Sequence, residues 1–163
     1  MMFLRLWRLL TILLVSLSLG AALGHLLELP AKMSYAGPLW LTVSQTLYAT
    51  FGTIGASFEV GAVVTTVVLV ILVRQRRPAF GWTLGGALCV AAAHAAFWIG
   101  LAPVNATIAA LTVETLSADW MELRDQWEYT HAARAVLQFI ALGALVFSVL
   151  VETAPNAPAV HPA

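Results

Sequence analysis

Four apolar stretches constrain this chain more than any other feature of its sequence. They cover about residues 6–29, 43–73, 80–101 and 119–151. A helix that crosses the hydrocarbon core of a bilayer, about 30 Å thick, needs about 20 predominantly apolar residues. Only 10% of the residues are charged, whereas soluble domains carry about 25%. The sequence therefore predicts an all-α fold, an integral membrane four-helix bundle formed by residues 1–152.

Two segments and one side chain lie outside this simple pattern. Residues 39–54 are weakly apolar, and they either extend the second helix outward or lie at the membrane interface. Residues 153–163 are rich in Pro and Ala and are predicted to be a disordered tail. The chain has a single cysteine, Cys89, which excludes an intrachain disulfide and a thiolate metal cluster. A formal net charge of zero gives no indication of nucleic-acid binding.

The basic residues predict the orientation of the chain, because cytoplasmic loops of membrane proteins carry an excess of Lys and Arg. Arg5, Arg8 and the basic cluster at 74–77 fall on one side of the predicted bundle, whereas Lys32 and Arg124 fall on the other. Both termini are therefore predicted to be cytoplasmic, in a multi-pass protein of the inner (cytoplasmic) membrane. The bias toward Ala, Val and Leu is typical of bacterial proteins. The fourth helix is about 50 Å long at 1.5 Å per residue and is predicted to extend beyond the membrane on the outer side.

Ionisable groups inside the apolar helices are the strongest functional signal in the sequence. Such a group is costly in a bilayer unless it faces protein, water or a ligand. Counting about 1.5 Å per residue from the cytoplasmic helix ends places these groups in the outer third of the hydrocarbon core. The residues are His25, Glu28, Glu59, His94, His131 and Arg134. All four helices contribute, so we predict one buried polar site near the outer face.

Apart from Glu59, a solitary carboxylate in a span that by default indicates a functional site, these residues also have a purely structural interpretation. His25 and Glu28 lie near a helix end and are compatible with an interfacial ion pair. His94 alone on an apolar helix is compatible with a hydrogen-bonded core residue, and Arg134 with a side chain that reaches outward to the interface. Trp127 fits an ordinary belt of interfacial aromatic residues. The common depth of the set favours a functional site over these separate explanations.

Histidine and carboxylate groups at one depth also suit a metal ion. Imidazole suits iron, copper or zinc, and carboxylate favours iron or manganese. The predicted ligands are His25, Glu59, His94 and His131, with iron or copper as the candidate metals. No cofactor follows with certainty, so a metal-free site stays an alternative.

Three short motifs carry a resemblance to a known family. They are His25-x-x-Glu28-x-Pro30, Pro103-x-Asn105 and Trp127-x-x-x-His131-x-x-Arg134. In these motifs the chain resembles the anthrone oxygenase-like family of small four-helix membrane proteins, over most of residues 10–151. The resemblance implies oxidation of an anthrone to an anthraquinone without a bound organic cofactor. It also implies functional roles for His25, Glu28, Asn105, Trp127, His131 and Arg134.

The sequence and the resemblance together predict a membrane oxidoreductase, a monooxygenase-like protein acting with dioxygen on a hydrophobic, aromatic small molecule. His131 or His25 is the predicted base, and Arg134 and Asn105 are expected to stabilise an oxyanion. Trp127, Trp98 and Phe97 are the predicted substrate-binding residues. The alternative is a non-catalytic subunit or small-ligand-binding protein. Predicted partners are the hydrophobic small molecule and membrane lipid, with a homo-oligomer or a larger membrane complex as the expected assembly.

Overall fold

Four long apolar helices packed as a bundle form the fold of this chain. The computed structural model describes residues 2–48 and 51–153. By length and composition, the helices able to cross a membrane lie at Met2–Met33, Phe51–Val73, Ala79–Ala110 and Trp120–Glu152. The predictions of an all-α class, of four membrane helices and of a multi-pass membrane protein are confirmed at this level.

Eight helical segments make up the described chain. The α-helices are α1 (Met2–Met33), α2 (Gly37–Thr46), α3 (Ala56–Val73), α4 (Ala79–Ala96), α5 (Ala102–Ala110) and α6 (Trp120–Thr153). Two π-helical segments, Phe51–Gly55 and Phe97–Leu101, lead into α3 and connect α4 to α5. The predicted tail from residue 154 onward lies outside the described residues.

The spanning helices pack in a ring in which each contacts two neighbours. Helix α1 packs on α3 and α6, and α4 packs on the same two helices from the opposite side. Arg8 and Arg76 both pair with Glu152, so the helix ends near the two termini meet at one end of the bundle. We call the other end, which carries Met33 and Trp120, the distal end.

Two hydrophobic clusters occupy the two halves of the bundle. The cluster nearer the termini is aliphatic and contains Val15, Ala62, Leu69, Val73, Val90, Ala141 and Leu145. The distal cluster is richer in aromatic residues and contains Trp40, Leu41, Tyr48, Leu101, Val104, Ile108 and Trp127. Large aromatic side chains leave irregular space between them when polar groups share the same layer. The distal half is therefore where a cavity forms.

A close approach of α4 and α6 depends on a glycine. A Cβ atom built on Gly86 would lie 3.1 Å from the carbonyl oxygen of Ala141 and 3.0 Å from the Leu145 side chain. The neighbouring Gly85 has nothing within 4 Å of the same position. Small residues at helix contacts allow backbones to approach closely in membrane proteins, which is the role of Gly86 here.

The helix bounds differ from the predicted ones at two prolines. Helix α1 continues past Pro30 to Met33, where the amides of Ser34 and Tyr35 bond back to Ala31 and Lys32. A proline in the last turn removes a single backbone hydrogen bond, so it need not end the helix. The third span likewise continues to Ala110, with Pro103 in the first turn of α5 directly after the π-helical segment Phe97–Leu101.

Residues 39–54 do not simply extend the second spanning helix. Residues 37–46 form the separate helix α2, which packs on α5. Its Trp40 and Leu41 are fully buried in the distal cluster. Ten residues amount to about 15 Å of helix, too short to cross a membrane. Helix α2 therefore closes part of the distal end, and the second span starts at Phe51.

Candidate functional site

A cavity of about 700 Å³ lies in the distal half of the bundle. All four spanning helices and α2 contribute to its walls. The walls include His25, Asn105, Trp127, His131 and Arg134, five of the six residues that the family motifs select. They also include Glu59 and His94, which the depth estimate alone had selected. Phe97 and Trp98 line it as well, so the structure brings nine of the ten predicted site residues around one space.

His25 and His131 form the centre of the cavity wall. Their rings stack with centroids 4.0 Å apart, and both residues are more than nine-tenths buried. The Trp127 indole meets His25 edge-on at 5.1 Å and is tilted over His131 at 4.3 Å. Helical spacing explains half of this arrangement, since Trp127 and His131 are four residues apart on α6. The packing of α1 on α6 supplies His25 from the other side.

The hydrogen bond of His131 defines which of its ring nitrogens carries a proton. Nδ1 lies 2.8 Å from the backbone carbonyl oxygen of Trp127. A carbonyl oxygen only accepts, so Nδ1 must donate its N–H. In the neutral ring Nε2 then carries a lone pair, and it has no hydrogen-bond partner among the described residues. His131 therefore presents an acceptor, and hence a base, to the cavity.

Asn105 is held against the aromatic wall of the cavity. Its Oδ1 accepts a hydrogen bond of 2.8 Å from the Trp127 indole Nε1. Because the amide oxygen is engaged, the amide NH₂ group is the part of Asn105 left to interact with a bound molecule. Residue 105 is exposed in the protein alone, as expected for a cavity-lining donor.

Glu59 lies at the centre of a second polar group in the cavity wall. One of its oxygens is bonded to Arg134 and the other lies 3.2 Å from His94 Nδ1. The second ring nitrogen of His94, Nε2, accepts from the Trp98 indole at 3.0 Å. Arg134 also donates to the carbonyl oxygen of Ala93 at 3.1 Å. Both ring nitrogens of His94 therefore have hydrogen-bond partners, whereas in His131 only Nδ1 has one among the described residues.

The two predicted substrate-binding aromatics of the π-helical segment Phe97–Leu101 have different environments. The Phe97 ring lies 5.2 Å below the Arg134 guanidinium, in a cation–π contact. The Trp98 side chain is 62% exposed and reaches the outer surface of the bundle. Phe97 thus supports the charged group, whereas Trp98 stands at the edge of the cavity.

Glu28 lies beside the cavity and not in its wall. Its carboxylate accepts a hydrogen bond from the Tyr48 hydroxyl. Burial of Tyr48 and its bond to this carboxylate raise the pKa of the tyrosine above its usual range, because both disfavour the phenolate. Tyr48, unlike Glu28, lines the cavity, and its ring lies 4.4 Å from the His25 ring.

Lys32 and Tyr48 are the site residues that sequence analysis missed. Lys32 is only 1% exposed, and its Nζ contacts Glu128, also 1% exposed, at 2.8 Å. A first helix that ends at residue 29, before Pro30, would leave Lys32 in a loop. The spacing of His25, Glu28 and Lys32, at positions i, i+3 and i+7, was the signal available, since it places all three on one face of a continued helix.

The predicted metal ligands form two pairs and not one shell. His25 and His131 turn ring faces toward each other, while the oxygens of Glu59 are engaged by Arg134 and His94. Within residues 2–48 and 51–153, no three His, Cys, Asp or Glu side chains are arranged to hold a metal ion. This donor set does not fit iron or copper as it stands, and metal analysis of the purified protein tests the prediction directly.

The cavity reaches the outer surface of the bundle between the second and third spans. Ala56 and Val60 on one side and Trp98 on the other line the cavity and are exposed. The segment Phe51–Gly55 packs on α1, whereas Phe97–Leu101 packs on α6. The two segments that flank the opening thus contact different helices. The opening is therefore lateral, on the side of the bundle between two of its helices.

These features define a class of protein: a small multi-pass membrane protein whose four-helix bundle encloses a polar, aromatic-walled cavity. Comparisons of the chain with models of protein families, with curated proteins and with solved structures found no match. The family resemblance noted in the sequence therefore rests on its three motifs.

Proposed function

We propose that this protein is a membrane oxidoreductase of the anthrone oxygenase-like family, which oxidises a hydrophobic aromatic carbon acid with dioxygen and without a metal. In this proposal both termini are cytoplasmic, and the cavity lies in the outer half of the inner membrane. The observation that carries it is the uncommitted Nε2 of His131 in a cavity of about 700 Å³. Cavities of this size hold drug-sized ligands with a few polar groups that fix orientation.

The reaction begins with a proton transfer. Nε2 of His131 takes a proton from the benzylic CH₂ group, whose C–H electrons delocalise onto the ring and its carbonyl oxygen. The carbanion gives its electrons to dioxygen, and a C–O bond forms. The resulting peroxide receives the proton and loses water, which converts CH₂ to C=O. One oxygen atom of O₂ ends in the quinone and the other in water, so the four electrons taken up by O₂ come from the substrate.

Two groups in the wall suit the negative charge that develops on the carbonyl oxygen. The free amide NH₂ of Asn105 is a neutral donor fixed by the Trp127 indole. Arg134 is paired with Glu59, and the guanidinium N–H groups that Glu59 and the Ala93 carbonyl do not use are further donors for this oxygen. Removing one preorganised donor of this kind typically lowers the rate by about 10²–10³-fold.

The lateral opening and the aromatic walls of the cavity both favour an apolar reactant. Tyr48, Phe51 and Trp127 contact the histidine pair, and aromatic faces favour offset or edge contacts with a planar ring system. Exposed Val60 and Trp98 border the opening on the lipid side. A molecule dissolved in the bilayer enters such a cavity without passing through water.

Purified protein in lipid nanodiscs, supplied with an anthrone and monitored for oxygen uptake and quinone formation, tests the proposal. His131→Ala should abolish the activity, and added imidazole should restore part of it if His131 acts as a base. Phe139→Ala is the matched control, because Phe139 lies on the same helix and is 69% exposed to the lipid side. Metal content measured on the same samples separates a metal-free reaction from one that needs iron or copper.

Full activity in His131→Ala would refute the proposal. Wild-type protein that is inactive on every oxidisable aromatic tested and migrates with a reproducible partner on native gels would support the alternative instead. The protein would then be a non-catalytic, ligand-binding subunit of a larger membrane complex.

A further inference from the structure

The distal end of the bundle holds a buried lysine for which the proposed reaction has assigned no task. Lys32 lies in the last turn of α1, and its Nζ lies 2.8 Å from Glu128 Oε2 and 4.0 Å from Glu28 Oε2. Glu128 is itself anchored by the Trp40 indole, at 3.4 Å. Breaking a buried ion pair of this kind is strongly destabilising, because one charge is left buried without its counterion. Because replacing both members by apolar residues is often neutral, stability alone is a weak reason for the pair.

The lysine is also directed at the histidine pair. Its Nζ lies 3.4 Å from Nδ1 of His25, and 4.9 Å and 4.8 Å from the ring centroids of Tyr48 and Trp127. The ammonium group has three donors and no acceptor. Nδ1 of His25 must therefore accept, and in the neutral ring the proton lies on Nε2.

The two stacked histidines consequently have opposite tautomers. His131 carries its proton on Nδ1 and presents a lone pair at Nε2, whereas His25 presents an N–H at Nε2. Neither Nε2 atom has a hydrogen-bond partner in the part of the chain that the structure describes. The ring centroids lie 4.0 Å apart, so a histidine with a free donor and a histidine with a free acceptor meet in the same cavity wall.

We propose that Lys32 is a positioning residue that holds His25 in the Nε2–H tautomer, so that the pair selects molecules offering both an acidic hydrogen and a nearby oxygen acceptor. His131 Nε2 takes the hydrogen, and His25 Nε2–H donates to the oxygen as charge develops on it. This inference rests on the proposed function. The inference excludes His25 as the base, a choice that the sequence had left open. It also makes enolisable aromatic ketones better substrates than aromatic hydrocarbons that lack the oxygen.

Histidine ¹⁵N chemical shifts test the proposal without any substrate, because they distinguish protonated from unprotonated ring nitrogens. In wild-type protein at neutral pH, His25 should show a protonated Nε2 and an unprotonated Nδ1, and His131 the reverse. His25→Gln and His131→Gln samples assign the signals. A protonated Nδ1 on His25 would overturn the proposal.

Lys32→Met alone leaves Glu128 buried without its counterion, so that variant is expected to fold poorly. The double variant Lys32→Met/Glu128→Leu removes both charges and keeps an apolar core. It should lose the single Nε2–H tautomer of His25 and show about a 10²-fold lower kcat on an enolisable ketone. An unchanged His25 spectrum in the folded double variant would refute the positioning role.

Arg124→Gln is the matched control at the same end of the bundle. Arg124 donates to the carbonyl oxygen of Met33 at 2.9 Å and thus also ties α6 to the end of α1, but it does not contact His25. Its loss should leave the His25 tautomer unchanged. Loss of the tautomer in both variants would mean that helix anchoring, and not the Lys32 donor, controls His25.

The two proposals fail separately. If His131→Ala abolishes the oxidation but the double variant keeps the His25 tautomer, the proposed function stands and the role of Lys32 is wrong. If the tautomers follow the expectation but His131→Ala is fully active, the proposed function is wrong and the histidine pair serves ligand binding alone.

Discussion

Replacing the Glu59–Arg134 pair gives the sharpest test of how this bundle is held together. Glu59 is 8% exposed and Arg134 is 7% exposed, and they bond directly across the interior. Glu59→Gln keeps the shape of the side chain but leaves the buried guanidinium without a counterion. Removing one partner of a buried pair typically costs about 3–5 kcal/mol. Because the bond of Arg134 to the Ala93 carbonyl survives, we expect about 3 kcal/mol, the lower end of that range.

The same structure predicts that the two substitutions are not additive. In Glu59→Leu/Arg134→Met the uncompensated charge is gone, so the double variant should be more stable than either single variant. Reversible unfolding in mixed micelles, followed by tryptophan fluorescence, measures these free energies. Arg76→Met is the control, since the side chain of Arg76 is 45% exposed in its pair with Glu152 and should contribute at most about 1 kcal/mol. Additive losses for Glu59 and Arg134 would refute the assignment of a coupled, buried pair.

Three further predictions concern packing, pH and orientation. Gly86→Ala should destabilise the bundle by about 1–3 kcal/mol through overpacking, whereas Gly85→Ala should not, and melting temperatures compare the two. Because the pKa of Tyr48 is raised in the folded state, this group contributes stability below a pH of about 10, and the contribution is lost as the pH rises further. Tyr48→Phe should therefore reduce the loss of stability at high pH. In a cysteine-free background, an impermeant thiol reagent should label a cysteine at Ala118 in intact cells and not one at Gln75; the reverse would overturn the proposed orientation.

The gathering of the polar residues was predictable because helix geometry converts residue number into depth. Glu59 and His94 are each about 14 residues from the ends of their predicted helices, so a rise of about 1.5 Å per residue places them at one level. The structure pairs these two at 3.2 Å. The bundle of four membrane helices was predictable for the same reason, since apolar length alone defines a span.

The individual contacts were not predictable, because periodicity gives a face but not the neighbour that covers it. The sequence allowed His25 and Glu59 to share a metal ion, but the structure stacks His25 on His131 and bonds Glu59 to Arg134 and His94. Lys32 was missed because a proline was taken as a helix end. Helix α2 was missed because its apolar residues, such as Trp40, are buried by segments that are distant in sequence.

The lateral opening beside Trp98 changes which concentration governs binding. A molecule that enters from the bilayer is diluted by lipid and not by the surrounding water, so the relevant quantity is its mole fraction in the membrane. Doubling the amount of lipid at a fixed amount of reactant halves that mole fraction, although the molar concentration of the reactant in the whole sample is unchanged. Half-saturation values measured for this cavity should therefore agree between preparations only when they are expressed per lipid molecule.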